Sequence, residues 1–97
     1  MSELISKKNF NLFTFGMEEL QKRGNSIPEG QEKNRQFLKD QVLREMKHLF
    51  QSVDKNNPEE ITTAALKLAN LSFAVALGCG NMETYVNKIL KLGTLTD

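Results

Sequence analysis

The sequence predicts an all-α fold: a small bundle of about four helices built on a central antiparallel hairpin and completed by oligomerisation. Three observations carry this. Apolar residues recur at helical spacing in four segments separated by Gly, Pro and Asn punctuation. The strongest helix start, Asn57-Pro58-Glu59-Glu60, opens into a stretch that is apolar around most of its circumference. A chain of 97 residues has few other elements to wrap around such a helix, so further copies are the economical cover.

The first helix is expected over residues 11–23, where Phe10, Phe13, Met17 and Leu20 keep a helical repeat and Gly24 ends it. Its aromatic residues suit core or dimer-interface anchors better than a base-stacking platform, since only Lys7 and Lys8 lie near them. Residues 10–15 also alternate in a way that fits a short strand, and residues 1–9 are expected to fray. Residues 24–30 hold two glycines and a proline and must turn.

The second helix is expected over 31–54. Leu38, Val42, Met46, Leu49, Phe50 and Val53 form its apolar stripe, with Lys39, Arg44, Lys47 and Gln51 facing away. Residues 54–57 are too few for anything but a tight connection, so the second and third helices should form an antiparallel hairpin. In the third helix Asn57 caps the free amides, Pro58 occupies the first position and Glu60 the third. From Ile61 to Leu77 only Thr63, Lys67 and Asn70 make a polar stripe. We read it as the water-facing edge, with the lining of a polar pocket as the other reading. Gly78-Cys79-Gly80 is read as a helix stop. Asn81 caps a last helix running to Leu92, with Met82, Tyr85, Val86, Ile89 and Leu90 on its apolar face and Gly93 as its stop. Residues 94–97 form a mobile tail.

Composition narrows the function classes. Thirteen basic and twelve acidic residues give a formal charge of +1 and no domain-wide basic excess, so no nucleic-acid partner is expected. The N-terminus lacks the apolar core of a secretory signal, and 61–77 is shorter than a bilayer span and carries Lys67 and Asn70. A cytoplasmic location without membrane association is therefore expected. Cys79 is the one cysteine, which excludes an intrachain disulfide and a thiolate cluster. One domain over 1–97 accounts for the whole chain.

No phosphate loop, nucleophile elbow or zinc motif is present, and no residue is assigned a catalytic or cofactor-binding role. What remains is acidic: Glu45 and His48 one turn apart on the second helix, and Glu60 at the start of the third. In an antiparallel hairpin Glu45 and Glu60 could approach and collect a divalent cation, which makes Glu45, His48 and Glu60 the metal candidates. The plainer reading is that Glu59 and Glu60 complement the helix dipole while Glu45 and His48 form a solvated flank.

This order of a long helix with an acidic turn, a short loop, a Glu-initiated apolar helix, a Gly-containing turn and a short last helix resembles the MazG-like all-α nucleoside triphosphate pyrophosphohydrolases over residues 39–92. In that family a Glu-x-x-Glu turn and a Glu-x-x-Asp turn hold magnesium. The resemblance matches Glu45 to the first glutamate and Glu60 to the third acid, with His48 and Thr63 standing at the other two positions. It implies a magnesium-dependent hydrolase as one reading. The other, preferred from the incomplete ligand set, is a non-enzymatic binding or regulatory protein that acts as an oligomer on such a scaffold, its partner another protein or itself.

Overall fold

A computed structural model describes residues 6–24 and 27–96, with side chains described as far as residue 91. The chain is all-α, with four helices and no strand among the described residues: α1 Lys7–Lys22, α2 Arg35–Lys55, α3 Pro58–Cys79 and α4 Met82–Thr96.

Caps explain most of the boundaries. Ser6 accepts a hydrogen bond from the Asn9 amide at 3.3 Å, so α1 starts ahead of the expected residue 11 and takes residues 10–15 into the helix rather than into a strand. Of the residues expected to fray, Lys7 to Asn9 are helical and 1–5 lie outside the described residues. The second helix begins at Arg35 instead of 31, because Asn34 turns back to accept from the Phe37 amide at 3.1 Å while its own amide donates to the Gln31 carbonyl. Asn56 closes α2 in the left-handed region at φ 55°, a conformation Asn tolerates better than most residues. Asn57 then caps α3 twice, accepting from the Glu59 and Glu60 amides at 3.1 and 3.2 Å.

Of the two expected helix stops, the Gly78-Cys79-Gly80 triplet ends α3 at its last residue, Gly80, and Gly93 does not end α4. Gly78 and Cys79 continue α3, and the turn falls at Gly80 and Asn81. Gly78 has a packing role instead: a Cβ built on it would lie 2.1 Å from the Glu32 carbonyl oxygen, so only glycine lets the 27–34 loop lie against α3. Asn81 caps α4 as expected, accepting from the Thr84 amide at 3.1 Å, but α4 passes through Gly93 and ends at Thr96. A glycine inside a helix costs only about 1 kcal/mol and need not end it. The expected tail residues 94–96 are thus helical, and Asp97 lies outside the described residues.

α2 and α3 pack as the expected antiparallel hairpin, and α1 packs on α3. The core is small. Leu38, Ala64 and Leu71 are its buried apolar residues, and Ser52 and Asn70 are buried beside them. Ser52 Oγ donates back to the His48 carbonyl at 2.9 Å, which satisfies the hydroxyl inside the seam. α1 comes close to α3 at Gly16, where a Cβ would meet Leu66 Cδ1 at 3.1 Å. Asn70 then latches the pair: its Nδ2 donates to the Met17 carbonyl at 3.1 Å and its Oδ1 accepts from Gln21 Nε2 at 3.0 Å.

That latch decides between the two readings of the polar stripe. Asn70 is buried under α1 and not at a water-facing edge, and Lys67 and Asn70 line a concave region together with Phe73 and Leu77, which follow on the same face and are exposed at 44% and 63%. A buried amide needs partners and finds them on α1; the apolar residues that follow it on that face are left without cover. α4 has no substantial packing on the other helices among the described residues.

The total accessible surface is 8010 Å², against about 5,600 Å² for a folded monomer of 11.0 kDa. The radius of gyration, 15.3 Å, likewise exceeds the roughly 12.5 Å of a compact chain of this length.

Candidate functional site

Two concave regions flank the hairpin. The first is a cleft of about 500 Å³ between α1, the 27–34 loop and the hairpin. Gln21, Gln41, Glu45, Lys67 and Asn70 supply polar groups, and Phe37, Leu71 and Phe73 supply apolar wall. The Gly78 contact with Glu32 holds the loop that forms one side of this cleft.

Of the metal candidates, Glu45 and His48 stand together, with Nδ1 of His48 3.9 Å from Oε2 of Glu45. That oxygen is sealed from solvent and has no hydrogen-bond partner. A buried acceptor left open is uncommon and marks a place where a donor would be favourable. Glu60 sits elsewhere. At 1.5 Å rise per residue, Glu45 lies about 16 Å along the hairpin from the turn at Asn56 and Glu60 about 6 Å. Antiparallel packing therefore sets Lys67 and Asn70, rather than Glu60, in the cleft with Glu45.

No cluster of three or more His, Cys, Asp or Glu side chains suited to a metal ion occurs among the described residues. One carboxylate beside an imidazole falls short of the octahedral oxygen shell that magnesium requires, so the residues present do not fit that ion.

The second region is a nearly wholly apolar groove of about 530 Å³ between α2 and the C-terminal part of α3, with Leu38, Val42, Leu43, Met46, Val75 and Cys79 on its walls. Cys79, expected to lie in a turn, is a half-buried free thiol in this wall.

The groove runs into an apolar seam on the outer side of α2. Leu43, Met46, Phe50 and Val53 follow one another at intervals of three, four and three residues, and all are exposed. That is the spacing of a coiled-coil seam that seeks a second helix. The single stripe expected on α2 thus divides in two: Leu38, Val42 and Leu49 are turned away from solvent, while Met46, Phe50 and Val53 belong to the open seam. Sequence reasoning missed Leu43, and the signal that would have found it is this spacing.

α4 carries a matching set. Met82, Tyr85 and Ile89 keep the three-then-four interval with Val86 alongside, and Tyr85 and Ile89 are about 60% and two-thirds exposed. The Tyr85 ring carries its own Lys88 ammonium 5.5 Å from the centroid, on the same helix.

Comparisons with protein-family models, with curated proteins and with solved structures find no match to this chain. By length and composition α3 is the one described helix that could cross a membrane, and Lys67 and Asn70 lie within it.

Proposed function

We propose that this protein is a small, non-enzymatic, cytoplasmic binding or regulatory module that works as an oligomer, its first partner being a second copy of itself. The observation that carries this reading is the apolar surface left open on α2, α3 and α4. A monomer of ordinary solubility seldom leaves several such stripes in water.

The surface in excess of a compact monomer's is large enough that a homodimer interface of standard size could draw on it. The balanced charge suits close approach of like copies, since +1 per chain adds little repulsion.

Light scattering on the purified protein at micromolar concentration tests it. A mass of at least twice 11.0 kDa is expected, with an unfolding temperature that rises with protein concentration. A folded monomer whose unfolding is independent of concentration would sink the proposal.

One observation favours a second reading. Glu45 lines a cleft of about 500 Å³, large enough for a small organic ligand, and one of its carboxylate oxygens is buried there without a hydrogen-bond partner. The MazG-like scaffold reading supplies a nucleoside triphosphate as the candidate.

Thermal unfolding with a panel of nucleoside triphosphates, with and without magnesium, decides between them. A rise in unfolding temperature that is abolished by Glu45→Gln supports the ligand reading, and a rise that also needs magnesium and Glu60 supports the hydrolase. No rise with any nucleotide leaves the assembly reading alone.

A further inference from the structure

Resting on the self-assembly reading, we infer that two copies exchange their last helices: α4 of each chain lies in the apolar groove between α2 and α3 of the other. The groove and the helix that would fill it belong to the same chain, and among the described residues they do not meet within it. Leu38, Val42, Leu43 and Met46 of α2 face Val75 and Cys79 of α3 across a space that no described residue of α4 lines. Tyr85, Val86 and Ile89 meanwhile stand in solvent on a helix that has no substantial packing on the other helices among the described residues.

Dimensions agree. Leu38 to Met46 along the groove and Met82 to Leu90 along α4 span the same number of residues, about 12 Å each. The linker explains why the exchange is between chains. α3 runs unbroken to Cys79, at the groove's own end, and only Gly80 and Asn81 separate it from α4. α4 leaves the hairpin there and carries its apolar face away. Reciprocal insertion is isologous: one twofold axis fills both grooves and both α4 faces, and the assembly closes without an open end.

The groove holds the chain's one cysteine, which gives a direct test on the full-length protein. Ile89→Cys and Val86→Cys are made singly with Cys79 retained, oxidised at micromolar concentration and run under non-reducing conditions beside light scattering. Both positions are exposed in the chain, so neither substitution removes a core contact.

Positions 86 and 89 lie about 6 and 10 Å along α4 from its start, and a link from either to Cys79 of the same chain leaves the mass of a monomer, so only a link between chains runs as a covalent dimer. A covalent dimer from at least one variant is expected, absent from the unmodified protein and abolished by adding Cys79→Ser. A protein that is dimeric by light scattering yet forms no Cys79-dependent link in either variant overturns the exchange and leaves self-assembly standing. An unmodified protein that is monomeric overturns both.

Discussion

The α2–α3 hairpin and α4 are written in the same periodic language and end differently. Both carry apolar residues at helical spacing, and both begin with an Asn cap, Asn34 and Asn57 in the hairpin and Asn81 in α4. The hairpin buries part of its apolar set within the chain, at Leu38, Ala64 and Leu71, whereas Tyr85, Val86 and Ile89 of α4 remain exposed. A helical repeat fixes which residues share a face; whether that face is covered depends on where the connection sends the helix. The Asn56-Asn57 turn folds α3 back on α2, and the Gly80-Asn81 turn sends α4 off the hairpin.

Substitutions can break this contrast. Leu71→Ala should cost the hairpin about 2–5 kcal/mol in urea unfolding, the usual loss for a buried leucine. Ile89→Ala in α4 should instead weaken dimerisation, seen as a larger dissociation constant and a lower unfolding temperature at micromolar concentration. Equal losses for the two at a concentration where the protein is monomeric would mean that α4 packs in its own chain.

Gly78→Ala comes next. Its methyl would meet the Glu32 carbonyl, and an overpacking cost of about 1–3 kcal/mol is partly offset by the better helix propensity of Ala. The 27–34 loop should lift, so its amides should exchange hydrogen faster while those of α2 and α3 hold. Unchanged exchange there would show that the loop does not depend on the close approach.

Asn70→Ala removes both halves of the latch to α1 and leaves Gln21 and the Met17 carbonyl short of a partner, at about 1–2 kcal/mol. Loss should concentrate in α1, which hydrogen exchange resolves from the hairpin; a uniform loss across all helices would argue against a latch. Asn57→Ala should have the smallest effect, about 1 kcal/mol, since it removes one side-chain cap from two amides at the start of α3. A change of less than a few tenths of that would mean that solvent serves the amides equally well.

Much of the candidate site was beyond the sequence for a physical reason that particular residues show. Glu45 and His48 were legible as neighbours because three residues on a helix make one turn, and they are found together. The placing of Glu45 with Lys67 and Asn70, and away from Glu60, depends on how far along α3 each residue of α2 falls, which only the hairpin register sets. The polar stripe of α3 was assigned to water in preference to a pocket because Asn70 was treated as a group that needs water, when a buried amide is equally served by Gln21 and the Met17 carbonyl.

By itself the sequence determined the local structure: an all-α chain of four helices, the caps at Asn57 and Asn81, the short connection that makes α2 and α3 a hairpin, and the apolar periodicity of each helix. These are short-range matters of backbone hydrogen bonds and spacing, settled within a few residues. Only the tertiary structure decided that Gly78 is a contact instead of a stop, that the polar stripe of α3 faces α1, and that the apolar faces of α2 and α4 are left open. Those outcomes depend on contacts between segments dozens of residues apart, where the gain from covering one face is weighed against leaving another bare, and periodicity carries no information about which face is covered.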